Sequence, residues 1–494
     1  MTRLPGILAI LALLTACSDD SNITATPPPQ EPIYLPIAAA TVEDPPDVGT
    51  ISLLANSFDL ADVGYEAQEY FVSGTASSFV NLSELGEDGM WDVEAADQAD
   101  YKTRIVVHRP IDPADFSGSA VVEWLNVTSG FDIPPSWGAG HVELYRSGHA
   151  WVAVSAQFVG IEGSEGGFPL YLKAVNPERY GSLVHPGDSF SYDMFSQISE
   201  LLRNPQGIDP LNGLDPEYVW AMGESQSAFR LTTYVNAVQP LYNPYEGYIV
   251  HSRGGAAAPL SQAPQADLQP EGGIRIRSDI NVPVLTFQTE TDIFVLGYIA
   301  ARQDDSDHFR LWEVPGTAHA DIYTIITGRA DASGEAQYAA VLEVSSLPGF
   351  ASCTLPFNSG PMHYLYNTAI RDLDNWVRGG EGPPSAPRLD VTDDQGDFIK
   401  DSLGNVTGGI RNPYVDAPSA ILSGSGNEGG GFCRLFGTTE LFGAAQMASL
   451  YVDAAGFTEA VTEATNAAVA SGFLLQVDAD AIIAWAPEQW ALQQ

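Results

Sequence analysis

The sequence predicts an α/β protein: a mostly parallel sheet covered by helices on both faces. Three observations carry this. Short apolar runs recur at 120–125, 151–155, 218–222, 248–250, 282–287 and 309–314, and near-continuous apolar runs are what a strand buried on both faces requires. Segments with helical spacing fall between several of them, at 138–147, 192–202 and 225–238, so the connections are crossovers rather than hairpins. Finally, Met222-Gly223-Glu224-Ser225-Gln226-Ser227 places a serine between an apolar strand and a helix, with small residues two before and two after it.

Composition agrees with a globular chain. Among 494 residues, 63 are acidic and 21 basic, a net charge of −42, yet 45% are hydrophobic and 10% aromatic. A disordered acidic chain lacks that apolar content. Such a charge repels polyanions, so nucleic acid and anionic membrane surfaces are excluded as partners.

Taken in order, Met1 to Arg3 and the apolar stretch Leu4–Leu14 read as a signal peptide, residues 1–16, too short to span a bilayer. Leu14-Thr15-Ala16-Cys17 resembles a bacterial lipobox, which implies a lipid on Cys17 and attachment to the cell envelope. Ser18, where a retention signal would place Asp, favours the outer membrane. Residues 17–48, rich in Pro, Ser, Thr and Asp, are expected to be a disordered tether. Alternating runs at 65–72 and 101–107 predict antiparallel strands ahead of the parallel set. The core is expected to span 49–340. Residues 341–494 are expected to be a closing helix, 362–377, and an accessory region with a hairpin at 388–409 and Ala-rich helix at 440–472. In an exported chain, Cys353 and Cys433 read as a disulfide, with two buried free thiols as the alternative.

The serine of the strand–helix turn is where a nucleophile elbow belongs. Ser225 needs a base, and of the eight histidines only His319 sits in a flexible loop directly after the last sheet strand. An orienting carboxylate should lie between the strand ending at Phe287 and His319. Asp292 is preferred and Glu290, on the same loop, is the alternative acid; for both, a helix-capping role is the competing explanation. Helix 295–302 is expected to carry Asp304–Asp307 too far away. Backbone N–H groups of Gln226 and of the stretch Asn126-Val127 are the oxyanion candidates. Asn126 serves equally well as a turn residue.

The order serine, acid, histidine resembles the α/β-hydrolase fold. Val122-Glu123-Trp124-Leu125-Asn126-Val127, Gly223-Glu224-Ser225-Gln226-Ser227, Thr289-Glu290-Thr291-Asp292, Pro315-Gly316-Thr317-Ala318-His319-Ala320-Asp321, Gly408-Gly409-Ile410-Arg411 and Cys433-Arg434-Leu435-Phe436-Gly437 are similar to the exported bacterial "alpha/beta hydrolase domain" family. That resemblance implies serine-dependent hydrolysis, chiefly of esters, with no cofactor. The sequence reading is therefore a lipid-anchored hydrolase acting on a small-molecule or polymeric ester through an acyl-enzyme, touching the membrane only through its lipid. The rivals are an amidase or peptidase on the same residues and a non-catalytic binding lipoprotein on the same scaffold. No metal is expected, because neither acid-rich stretch, 304–307 or 390–401, has the EF-hand spacing, and no phosphate-binding glycine loop occurs.

Overall fold

The computed structural model describes residues 34–164 and 169–494. The expected signal peptide and Cys17 lie outside the described residues. Residues 35–494 fold as one unit around a ten-stranded sheet: β1 (Thr41–Glu43), β2 (Tyr65–Asn81), β3 (Val93–Pro110), β4 (Ser119–Trp124), β5 (Ala150–Val154), β6 (Gln206–Gly207), β7 (Tyr218–Glu224), β8 (Tyr248–His251), β9 (Val284–Thr289) and β10 (Phe309–Val314). The spatial order is β10-β9-β8-β7-β4-β5-β3-β2-β1-β6. Strands β5, β4, β7, β8, β9 and β10 pair in parallel, while β2 and β3 form a long antiparallel ribbon joined to β5. Chain order reverses where β4 and β5 exchange places, and open α/β sheets leave a crevice at the carboxyl ends of strands beside such a reversal.

Successive residues of the parallel strands face opposite apolar layers, as the continuous apolar runs require. Val122, Val152 and Ala221 join Phe195 and Tyr234 on one face. Val121, Trp151, Trp220 and Met222 join Trp137, Leu365 and Ile370 on the other. The first layer is covered by α2 (Ser191–Arg203) and α3 (Gln226–Thr233), the second by α1 (Pro135–Arg146) and α5 (Met362–Val377), with α4 (Glu290–Phe294) following β9. Gly140 lets α1 and α5 approach: a Cβ there would come within 2.2 Å of Ile370 Cδ1.

Several expectations need correction. The segment assigned to the tether docks at its end: Leu35 N–H donates to the Leu241 carbonyl and Thr41–Glu43 pairs with β2. Asp44, Pro45 and Pro46 beside it suggested a linker, but they lie just outside β1, which is held between β2 and β6. The helix expected over 225–238 turns π-helical at Tyr234–Val238. In place of a helix over 295–302 there is α4, starting five residues earlier, and a 3₁₀ turn at Tyr298–Ala301. Gly297, at φ +72°, separates the two. The hairpin at 388–409 is reduced to three isolated bridges, Leu389 with Gly408, Val391 with Phe398 and Lys400 with Val406. The Ala-rich stretch begins as a strand, Thr438–Leu441, and breaks at Val452 between α6 (Ala444–Tyr451) and α7 (Ala454–Ala470); α8 (Gln476–Leu492) follows. Cys353 and Cys433 are disulfide-bonded, with Cα atoms 5.6 Å apart.

Candidate active site

β7 enters its turn at Gly223, where a Cβ would meet Leu231 Cδ1 at 3.0 Å and Ser227 Cβ at 3.1 Å. The turn is thus crowded on both sides of the serine, which is why small residues flank it. Ser225 itself has φ +57° and ψ −122°, a strained conformation for a residue with a Cβ. Its N–H is held by the His251 carbonyl of the neighbouring strand. Strain over-determined in this way holds Oγ at the carboxyl end of the sheet, on the first turn of α3.

The loop after β10 turns through Gly316, at φ +78°, and brings His319 back over Ser225. His319 Nε2 is 2.8 Å from Ser225 Oγ, and Nδ1 is 2.7 Å from Asp292 Oδ1. Because a carboxylate only accepts, Nδ1 carries the proton and Nε2 presents its lone pair to the serine hydroxyl. The second oxygen of Asp292 accepts from Thr289 N–H at 2.7 Å and Thr289 Oγ1 at 2.8 Å. Asp292 therefore caps α4 and binds the imidazole at once, so the two roles weighed for it are not alternatives.

Glu290 is elsewhere. Its two oxygens accept Gly316 N–H at 2.6 Å and Gly424 N–H at 2.8 Å, and it has no bond to His319. The alternative acid is corrected accordingly: helical geometry turns residue 290 away from residue 292, and Glu290 clamps the histidine loop to the C-terminal region. Burial pushes its carboxyl up to about 7, against the pull of those two N–H groups. Thr291 completes the clamp, its hydroxyl donating to the Gly424 carbonyl and accepting His319 N–H.

Of the oxyanion candidates, Asn126 N–H is committed to the Ile133 carbonyl at 3.0 Å, and its side-chain amide donates to the Glu224 carbonyl at 3.1 Å. Asn126 thus ties its loop to the elbow strand, as a turn residue would, and its main-chain donor is removed from the set. Gln226 opens α3, where N–H groups lack intrahelical acceptors. Val127 N–H has no protein acceptor among the described residues.

Two residues were missed as neighbours of the base. Glu224, read only as part of the elbow motif, places Oε1 3.2 Å from His319 Nε2. Burial pushes its carboxyl up to about 7; the His319 charge opposes and the Asp292 charge adds to this. Burial would depress His319, but Glu224 and Asp292 together hold it above its ordinary value. His251, at the end of β8, stacks on Tyr366 with ring centroids 4.3 Å apart, and neither ring nitrogen has a protein partner. Burial, with the nearby His319 charge, lowers it to about 3, so it is neutral. The signal for Glu224 was adjacency to the serine; for His251 it was position at a strand's carboxyl end.

These groups open into a cavity of about 380 Å³. Its wall is largely apolar: Phe131, Ile133 and Ile325 from the core, and Leu347, Phe350, Met362, Phe432, Leu435 and Phe436 from the region after residue 340. The disulfide lies in the apolar cluster that backs this second wall, so the C-terminal region is part of the site.

Solved structures are similar to about half of this chain. An α/β serine hydrolase without a lid, XC6422 from Xanthomonas campestris, is 13% identical, with a TM-score of 0.27 over 49% of this chain and 86% of its own. An esterase of Rhizomucor miehei is 11% identical, with a TM-score of 0.28 over 62% and 85%. A glucuronoyl esterase from Solibacter usitatus is 11% identical, with a TM-score of 0.28 over 57% and 82%. No curated protein matches the sequence. The model of the family described as "Alpha/beta hydrolase domain" matches residues 34–484, nearly all of the described chain, and the protein belongs to that family.

Proposed function

We propose that the protein is a serine hydrolase that cleaves carboxylic esters through an acyl-enzyme. The observation that carries this is the unbroken line Ser225 Oγ, His319 Nε2, His319 Nδ1, Asp292 Oδ1, with both contacts below 2.9 Å, on a serine held at positive φ. Ser225 Oγ attacks the ester carbonyl carbon as its proton passes to Nε2. The resulting oxyanion is held by N–H groups of Gln226 and Val127. As the tetrahedral intermediate collapses, the C–O bond to the alcohol breaks and His319 returns the proton to the departing oxygen. Water repeats the sequence on the acyl-enzyme. Asp292 fixes the tautomer and stabilises the imidazolium.

Ester is favoured over peptide by the wall. An extended peptide brings backbone N–H and C=O groups that need partners when buried, and the cavity lining is mostly apolar side chains. A fluorophosphonate probe tests the reading: the expected result is one adduct on Ser225, lost in Ser225→Ala, with turnover of activated esters well above that of matched anilides. A folded protein that neither labels nor turns over overturns it. Anchoring through a lipid on Cys17 belongs to the same proposal and rests on the lipobox resemblance. Mass spectrometry of the membrane fraction should find a diacylglyceryl group there, and an unmodified N-terminus elsewhere defeats it.

A further inference from the structure

We infer that the cavity takes esters carrying an anionic group, with Arg329 as the residue that binds the charge; the inference rests on the ester-hydrolase reading of the same cavity. Arg329 lines the space that holds Ser225 and His319 and is the only lysine or arginine among its described lining residues. Its backbone is pinned, with Ser57 N–H and Ser57 Oγ donating to its carbonyl at 2.7 and 3.0 Å. Its guanidinium is in no ion pair among the described residues, and Nε is buried without an acceptor.

That openness is notable in a chain with three acids for every base. Arg104, Arg179, Arg203, Arg230 and Arg302 each hold a carboxylate. The acid nearest Arg329 in sequence, Asp331, is committed elsewhere: Oδ1 accepts Gly334 N–H at 2.7 Å and Oδ2 accepts the Tyr323 hydroxyl at 3.0 Å. The cavity's own acid, Glu224, faces His319. The apolar residues of the cavity wall leave the half-buried guanidinium few competing acceptors. They also strengthen its attraction for an incoming carboxylate, which the planar guanidinium can bind in a bidentate fashion. The negative surface does not cancel this, because charges more than about 10 Å away are largely screened at physiological salt. A small number of polar groups in a mostly apolar pocket is the usual way in which substrate orientation is fixed. The ester carbonyl would sit at Ser225 and the anion at Arg329.

The test uses ester pairs that differ only in charge. With the anion on the acyl half, 4-nitrophenyl hemisuccinate, hemiglutarate and hemiadipate are compared with their methyl-capped diesters. With the anion on the alcohol half, 4-acetoxybenzoate is compared with methyl 4-acetoxybenzoate. In at least one arm, kcat/KM for the anionic twin should exceed that for the neutral twin by about tenfold or more. Arg329→Met should bring the ratio near one, and Arg329→Lys should keep part of it. Neutral twins turned over as well as or better than anionic ones in both arms overturn the inference and leave the ester-hydrolase reading standing. A preference that survives Arg329→Met also overturns it. No turnover of any twin defeats the reading and the inference together.

Discussion

Glu224 Oε1 and Ser225 Oγ approach the same atom, His319 Nε2, at 3.2 and 2.8 Å. Two consecutive residues thus face one nitrogen of one imidazole, the hydroxyl as donor to its lone pair and the carboxylate as a charge that favours its protonation. With Glu224 protonated, His319 is free to accept from Ser225. With Glu224 ionised, its charge favours a proton on Nε2, which raises the His319 pKa and removes the base.

The consequence is a pH profile displaced upward. The Glu224 carboxyl is pushed up to about 7, so its charge develops over the range in which an ordinary imidazole, near 6.5, would lose its proton. Asp292 adds a second negative charge at Nδ1, while neutral His251 adds none. Glu224→Gln removes one of the two charges, so the acid limb of kcat/KM should move to lower pH by about one unit. Activity at pH 6 should rise relative to activity at pH 8. A limb that stays in place shows that Glu224 does not act on His319.

Gly424 should be sensitive although it lies more than a hundred residues from His319 in sequence. A Cβ there would meet Thr291 N at 2.4 Å and Glu290 Cβ at 2.5 Å, both on the acid loop. Gly424→Ala must push the C-terminal region off that loop or shift the loop itself. The expected cost is about 1–3 kcal/mol in urea unfolding, with a fall in kcat because Thr291 also holds His319 N–H. Unchanged stability and kcat would show that the clamp yields freely.

The sheet and the three side chains at its carboxyl end were legible in the sequence because each follows from local pattern. Apolar runs mark β4, β5 and β7 to β10, and Ser225, Asp292 and His319 each follow a strand in an open sheet. What escaped depends on contacts distant in the chain. Asn126 reads equally as an oxyanion donor and as a turn residue, and what decides is the bond from its N–H to the Ile133 carbonyl, a pairing that no run of residues announces. Glu290 and Asp292 are two positions apart on one loop, and only helical geometry, about 100° per residue, turns one toward His319 and the other toward Gly424. β1 was hidden by its three-residue length and its Pro-rich flank. The cavity wall after residue 340 was hidden because its segments are joined by a disulfide and loop contacts rather than by periodic structure.

The disulfide should matter for substrate binding as well as for stability. Cys353 and Cys433 are 80 residues apart, and closing a loop of that size contributes roughly 4 kcal/mol in the chain-entropy model. Phe432, Leu435 and Phe436 line the cavity beside Cys433, whereas Ser225 follows β7, Asp292 lies in α4 and His319 follows β10, all in the core. Cys353→Ala with Cys433→Ala should therefore lower the melting temperature and raise KM for long acyl chains more than it lowers kcat. Equal loss on acetyl and long-chain esters would mean that the wall does not contact the acyl group.

The two acids of the α4 loop make the sharpest contrast. Asp292 Oδ1 accepts the His319 Nδ1 proton at 2.7 Å, so Asp292→Asn replaces an acceptor with a group able to donate. That favours the wrong tautomer, with the proton on Nε2 facing Ser225, and withdraws the charge that stabilises the imidazolium. Turnover should fall roughly ten-thousandfold, the loss seen when this substitution is made in a Ser-His-Asp protease. The fold should survive, because an asparagine oxygen can still accept the Thr289 N–H. Glu290→Gln breaks no bond to His319; it keeps one oxygen for Gly316 or Gly424 N–H and sets an NH2, which cannot accept, against the other. It should lower stability, with kcat kept within about tenfold of the parent. Both variants are to be assayed on one activated ester, with folding followed by circular dichroism. Near-parent turnover in Asp292→Asn together with collapse in Glu290→Gln would transfer the orienting role to Glu290, against the geometry. Retention of activity by both would mean that His319 needs no carboxylate at Nδ1.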